Sequence, residues 1–590
     1  MIHVTKTAGI WLAVLMVSIG CTACTHAQTI LNVKDFGAVG DGKADDLPAF
    51  NLALEAVRKV PPGPVTLLIP DGTYRLALDE NADIKSHVNL ANMAELTVTG
   101  DKQTLLLFGS PYHHGIGLLK CRNVTVKNLA LDFDPLPYTQ GIVVAVSPEN
   151  QLIDMKVDAG YPLPTDPHID PFVGKKSQCV GYLFDVKTNL KSQEYYDQYL
   201  RKQVEDLGNG VYRYKSANKV EDSMVGKRFA AVGRRRANAV LVEGSTDCLV
   251  ENIRVYSASS CGYNVASSTR ITIDHCSIEH RPSTNRCMST NADGLHSKWC
   301  PVGPTLSNSY FTGMGDDAVN IGGSYTPVLD QVDDKTLIVE AHGSITNYPA
   351  DLFMAITDVK DHVQLPKLVN IKGTRVEGYK KPAIKLTFES ALPKFTTWKE
   401  TQDAHKCAQI FNLNACGRYG KVINNRFYNH RVRGVLMRGP DGIIKGNTFD
   451  TLAGPAIVVS DDGGYLTEGP GGNNTIIEDN TFINIQRSNI WINSSLSPYI
   501  SGLIIRNNTF DSFGGNNPYG RGELGNVLWI TKAKNITIEN NTIGKPAPGT
   551  KPAPTVQYRS IENMTWKNNT VNGHPLDLKK DAQEMVLEKK

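Results

Sequence analysis

Three aspartates carry the strongest chemical signal in this sequence. Asp293 lies in "NADGLHS" (291–297), and Asp316 and Asp317 lie in "GMGDDAVNIGG" (313–323). Asp316 follows Asp293 by 23 positions. Carboxylates brought together repel each other and raise at least one pKa, which a stable core avoids and an acid–base pair requires. One carboxyl can give a proton while another takes one, which is general acid–base chemistry. A calcium site and inert polar turns are the two alternatives for the same residues.

Five further residues are candidates for holding a substrate. Asn291 is two positions before Asp293 and would share its face on a strand. Asn320 is three after Asp317, Arg438 ends "GVLMR" (434–438), Glu468 lies in "LTEGPGG" (466–472), and Asp134 lies in "DFDPLPYTQG" (132–141). His296, three after Asp293, would face the opposite side of a regular strand and reads as structural. The same alternation separates Asp316 from Asp317 unless the chain bends, and Gly313, Gly315, Gly322 and Gly323 make room for a bend.

The elements that position these groups repeat. "NNRF" (424–427), "GNTF" (446–449), "DNTF" (479–482), "NNTF" (507–510), "NNTI" (540–543) and "NNTV" (568–571) recur, with their second residues spaced by 22, 33, 28, 33 and 28. Each follows an alternating strand such as "TIIEDN" or "NITIEN", and weaker copies such as "NVTVKNLAL" and "RITIDHCSI" lie upstream. A minimum period with variable excess is a solenoid with loops on some turns. Its asparagines read as structural turn residues that tolerate a left-handed backbone and bond the next coil. An offset of 23 is then one turn, which places Asp293 and Asp316 at matching positions on neighbouring coils. Two stretches, 139–236 and 324–405, keep β alternation but lose the asparagine turn, and read as inserted antiparallel β modules, barrel-like, able to turn an open groove into a pocket.

The bulk properties exclude several partners. A net charge of +3 over 590 residues with 21% charged content gives no basic footprint for nucleic acid. Residues 1–27 read as an export signal: Lys6 precedes the apolar run "GIWLAVLMVSIG" (9–20), which is too short for a transmembrane span. Cleavage after Ala27 gives a secreted or periplasmic protein, while lipidation of Cys21 or Cys24 would give an anchored one. Nine of the eleven cysteines lie beyond residue 27 without a CxxC pair, which speaks against zinc and for small core residues.

At the N-terminus, "GAVGDGKADD" (37–46) runs into a helix that Asp45 or Asp46 can cap with Pro48 in its first turn, followed by "IPDGTY" (69–74). These pieces resemble the start of a pectate-lyase-type right-handed β-helix. The resulting expectation is an all-β, right-handed parallel β-helix with inserted antiparallel β modules and an N-terminal capping helix. Its parts are helix coils at 28–138, 237–323 and 406–575, the two insertions, and a charged tail at 576–590.

"DPLPYTQG" (134–141), "NADGLHS", "GMGDDAVNIGG", "RGVLMRGPDGIIKGNTF" (433–449) and "TEGP" (467–470) together resemble glycoside hydrolase family 110, the α-1,3-galactosidases. The polygalacturonases share the Asp followed by Asp-Asp, but their GHG and RxK have no counterpart downstream of Asp317, which argues against a uronic acid substrate. The resemblance implies an exo-acting, inverting hydrolase that removes terminal α-1,3-linked galactose from blood-group B-like or linear oligosaccharides and glycoconjugates, without metal or cofactor. It makes Asp316 the general acid, with Asp293 and Asp317 positioning and deprotonating water. The family's "NIHG" is "NIGG" here, with Gly322 in place of histidine. A β-helical glycosidase of different sugar specificity and a non-catalytic glycan-binding β-helix are the alternatives.

Overall fold

Alternating strands separated by asparagine turns wind into a parallel β-helix. The computed structural model describes residues 28–584 apart from 170–178, 193, 196, 234–235, 342, 347–351, 356–358, 371–373, 380–381, 464–466, 497, 514–524, 547–554 and 578–580. Residues 1–27, expected to direct export, and the last residues of the tail lie outside the described residues. None of the described helices is long and apolar enough to cross a membrane.

Successive coils stack strand on strand in parallel. Tyr263–Ala266 pairs with Leu295–Lys298, then Val319–Ser324, Val435–Met437, Ile457–Ser460 and Ile490–Asn493. A second column runs through Thr272–Asp274, Thr305–Ser307, Lys421–Ile423 and Ile443–Lys445, and a third through Ser277–Ile278, Tyr310–Thr312, Arg426–Tyr428 and Thr448–Asp450. Inward-facing residues share one continuous core. Within it Phe427, Phe449, Phe482 and Phe510 stack face to face, with centroids 5.2, 5.2 and 4.6 Å apart.

The helix Leu47–Lys59 closes one end and buries Phe50, Ala53, Leu54 and Val57. Asp46 occupies its N-cap position, but its carboxylate accepts from the backbone of Val39 and Gly40; Asp45 receives the Leu47 N–H.

The repeated asparagines form a ladder inside the turns. The backbone N–H and Nδ2 of Asn425 both donate to Oδ1 of Asn447, at 2.9 and 3.0 Å. The same pair of bonds links Asn447 to Asn480, Asn480 to Asn508, Asn508 to Asn541 and Asn541 to Asn569. The left-handed backbone expected of these asparagines belongs instead to the residue before each: Asn424, Gly446, Asp479, Asn507, Asn540 and Asn568. That division frees the buried asparagine to spend its whole amide on the neighbouring coils.

Two modules interrupt the stack without breaking its register. His114–Leu119 pairs directly with Val240–Glu243, and between them the strands from Tyr138 to Gly233 close a six-stranded antiparallel barrel with its own core around Val143, Met155, Tyr214 and Phe229. Val319–Ser324 pairs directly with Val435–Met437, and the second module is a seven-stranded sheet rather than a closed barrel. It extends past residue 405, because Gln409–Asn412 pairs with Thr326–Asp333 and Leu352–Ala355. All nine cysteines among the described residues are free and buried.

Replacing Asn480 by Ala strands the buried donors of Asn447 and the Ile444 carbonyl that Asn480 satisfies. We expect a loss of about 3 kcal/mol or more, seen as a lower denaturant midpoint, whereas an unchanged midpoint would mean that the ladder contributes little.

Candidate active site

The strand register decides which acids meet. Leu295 pairs with Val319, and the N–H of Gly294 donates to the Asp317 carbonyl. The coil equivalent of Asp293 is therefore Asp317, and Asp316 precedes it; the match expected between Asp293 and Asp316 is shifted by one. Val319 pairs in turn with Val435, and Ala318 N–H donates to Arg433 O, so Arg433 occupies the same position one coil further on.

Asp316 and Asp317 both reach the site because the chain bends between Thr312 and Val319. Gly313 makes the bend, with φ at +73° and no room for a Cβ, which would meet His280 Nε2 at 2.5 Å. Gly322 and Gly323 lie in the following strand and take no part in the bend.

Oxygens of Asp293, Asp316 and Asp317 lie within 4.8 Å of one another. Asp293 and Asp317 are buried, while the Asp316 side chain is 16% exposed. Each has a cationic or ionisable partner. Asp293 Oδ2 is 2.7 Å from His296 Nδ1. Asp316 Oδ1 accepts from Arg431 Nη1 at 3.1 Å. Asp317 Oδ1 accepts from Arg433 Nε at 2.7 Å and from its backbone N–H at 3.2 Å. Burial, reinforced by the charges of Asp316 and Asp293, pushes the Asp317 carboxyl up to about 6 against the pull of Arg433. His296 is raised despite burial, held up by Asp293 and Glu468.

The cluster opens into a cavity of about 360 Å³, within the range of small-molecule sites. Its walls take in Asp293, Asp316, Asp317, Asn320, Arg438 and Glu468, together with His296, Arg433 and Asn264. Glu468 arrives on a short strand antiparallel to Gly323 and Ser324. There it pairs with Arg438 and with Lys298, which hold its carboxyl below the usual range against the cost of burial. Arg438 Nε is buried beside the cavity without a hydrogen-bond partner, a donor suited to a ligand oxygen.

Two candidates lie elsewhere. Asn291 is wholly buried, and its Nδ2 donates to Pro137 O at 2.7 Å and to Gly233 O at 3.3 Å. It ties together the two ends of the inserted barrel and cannot touch a substrate in the cavity. Asp134 pairs with Arg75 on the surface and lines a different hollow with Tyr161 and Arg281. In the other direction, His296 belongs to the site. Asp293 sits in a bend before the strand, so strand alternation does not relate the two; His296 lies in register between Asn264 and Asn320, on the cavity face. Arg431 and Arg433, too, carry no motif; only the register across the second insertion brings them to the aspartates.

Three carboxylate oxygens this close could also ligate a cation. Arg431 and Arg433, and His296 when protonated, stand one against each acid and offset charge that a metal would neutralise. The arrangement can do acid–base chemistry.

Two family models agree with the fold. A family model described as "Right handed beta helix region" matches residues 404–543, and one described as "Rhamnogalacturonase A/epimerase, pectate lyase-like" matches residues 30–165. Alpha-1,3-galactosidase B of Bacteroides thetaiotaomicron is 23% identical over 575 residues, spanning 89% of this chain and 87% of its own. Alpha-1,3-galactosidase B of Akkermansia muciniphila is 24% identical, spanning 92% of this chain and 70% of its own. Among solved structures, an exopolygalacturonase from Thermotoga maritima aligns with a TM-score of 0.45 at 13% identity, covering 93% of this chain and 92% of that one.

A carboxyl whose folded pKa exceeds its unfolded value binds its proton more tightly in the folded state. Its contribution to stability is thus largest at low pH and is lost as pH rises from the unfolded value of 3.8 through about 6. We expect Asp317→Asn to gain on the wild type over that window, by up to about 3 kcal/mol, in melting curves taken against pH. Parallel curves for the two proteins would contradict the raised pKa.

Proposed function

We propose that this right-handed β-helix protein, homologous to the α-1,3-galactosidases over most of its length, is an exo-acting, inverting glycoside hydrolase that removes terminal α-1,3-linked galactose from oligosaccharides or glycoconjugates. The observation that carries the proposal is the convergence of three carboxylates from stacked coils in one sugar-sized cavity. The homologues support a glycosidase with a carbohydrate substrate; the α-1,3 linkage, the exo mode and inversion are proposed from the family resemblance.

The proton of such a cluster belongs to the group rather than to one residue. Asp316, the most exposed of the three, is suited to pass it to the glycosidic oxygen of the leaving sugar. Asp317 and Asp293, deeper in the cavity, then hold the attacking water and take its proton, with His296 orienting Asp293. Asn320, Arg438 and Glu468 supply donors and acceptors for the galactose hydroxyls. The arginines on the wall, Arg433 and Arg438, each have a carboxylate partner, which favours a neutral sugar over a uronate. The Glu468 strand and the inserted modules favour a pocket that takes a chain end. Inverting pairs keep their carboxyl groups about 6.5–9.5 Å apart. The nearest oxygens here are closer than that, so inversion rests on the family resemblance, and the released anomer decides it. We further propose that the first 27 residues direct export, to the periplasm or the exterior, as a cleaved signal or a lipid anchor.

The test is incubation with α-1,3-, α-1,4- and α-1,6-galactosyl oligosaccharides, followed by proton NMR. The expected result is galactose released from the α-1,3 linkage, β-anomer first, with Asp316→Asn and Asp293→Asn each slower by about 10³-fold or more while still folded. Release of the α-anomer first overturns inversion, and substantial turnover by either variant overturns the assigned roles. Binding of these glycans without release would leave a lectin-like β-helix.

A further inference from the structure

The inserted barrel is bonded to the turn that carries Asp316. Tyr182, on the barrel strand Cys179–Phe184, donates from its hydroxyl to Gly315 O at 3.1 Å. Arg431, on the coil beyond the second insertion, donates from Nη1 to Gly315 O at 3.2 Å and to Asp316 Oδ1 at 3.1 Å. Its Nε donates to Oδ2 of Asp197, at the start of another barrel strand, at 2.8 Å, and its guanidinium lies 5.4 Å over the Tyr182 ring. Lys191 Nζ stands 3.5 Å from the other oxygen of Asp197. Backbone bonds from Lys191 and to Asn189 hold Asn429, whose carbonyl accepts from Gly313 N–H. Asp197 and Lys191 are 6% and 7% exposed, so this chain of charges is largely shielded from water.

We infer that Asp197 is a positioning residue: from the barrel it fixes Arg431 against Asp316 and, by sharing the guanidinium charge, keeps the Asp316 carboxyl able to hold a proton. The inference rests on the reading of Asp316 as the acid. Its physical basis is that a carboxyl beside an arginine is driven towards its charged form, which cannot donate. A second carboxylate on the same guanidinium draws off part of that field, and in a shielded site the effect is larger than at the surface. Among the described residues, the ionisable groups beside Asp316 include His430, Arg431, Arg433, Asp293 and Asp317, and those beside Asp197 include Lys191 and Arg431. Without Asp197, the Arg431 guanidinium would bear on Asp316 without the second carboxylate that now shares it.

The test compares Asp197→Asn with Asp154→Asn in the full-length protein. The latter breaks an ion pair internal to the barrel, where Asp154 accepts from Arg213 at 2.8 and 2.9 Å. Two readouts are taken: kcat and KM against pH, and an infrared titration of the carboxyl stretch in the free protein, assigned by subtraction of Asp316→Asn. For Asp197→Asn we expect kcat lower by about 10-fold or more with KM within about 3-fold, and both the alkaline limb and the carboxyl midpoint displaced downwards by about 0.5 pH unit or more. Asp154→Asn should lower the melting temperature without moving either midpoint. The inference is overturned if the Asp197→Asn midpoint superimposes on the wild type, or if both variants shift it alike. If the wild type releases no sugar, the reading of the site as a hydrolase fails, while the infrared midpoint still decides what Asp197 does.

Discussion

Parallel stacking of coils brings equivalent residues to adjacent rungs, and at Asp293 and Asp317 it brings together like charges. The rest of the site answers that constraint. A bend at Gly313 adds Asp316 to the pair, burial strengthens the repulsion, and His296, Arg431 and Arg433 take up enough of it for the fold to persist. What remains uncompensated raises the Asp317 carboxyl, so that the cluster can hold a proton at a pH where an isolated aspartate has none. The strain of the cluster and its capacity for acid–base work are one property, which is why such sites sit where stability is given up for function.

The β-helix supplies rigidity, and the insertions supply shape. The asparagine ladder and phenylalanine stack fix the coils from Asn425 onwards through closely repeated contacts, and the positions of Asp293 and Asp317 upstream follow from backbone pairing rather than from side-chain choice. The barrel and the seven-stranded sheet leave the stack between coils and return in register. Residues far apart in sequence, Asp197, Asp316 and Arg431, thereby meet within hydrogen-bond reach. Asn291, expected in the cavity, instead joins the barrel's two ends to the coil that carries Asp293. Barrel and acids are thus connected from two sides.

Much of this was legible in the sequence, because solenoid periodicity writes itself as repetition. The recurring "NTF" turns, the helix with Pro48 in its first turn and the two stretches without asparagine turns correspond to coils, cap and insertions. The offset of 23 between Asp293 and Asp316 pointed to adjacent coils, but strand pairing runs from Leu295 to Val319, so the partner in register is Asp317. The failures share a cause. Asn291, His296 and Asp293 lie in or beside a bend, where the two-residue period of a strand gives no guide to facing. Arg431 and Arg433 lie beyond an insertion, and spacing along the chain carries no information about register across it. Asp134 shares its stretch with family-like motif residues, yet its carboxylate is spent on Arg75.

If the three aspartates work as one acid–base unit, their contributions to turnover are not independent. The most direct measurement is a double-mutant cycle on kcat/KM with Asp293→Asn and Asp316→Asn, singly and together, on an α-1,3-galactosyl oligosaccharide. A shared unit predicts that the double variant is scarcely slower than the poorer single one, since either change already disables the same step. Losses that multiply would mean that the two carboxylates act separately, and would contradict the central claim that stacked coils build a single catalytic group.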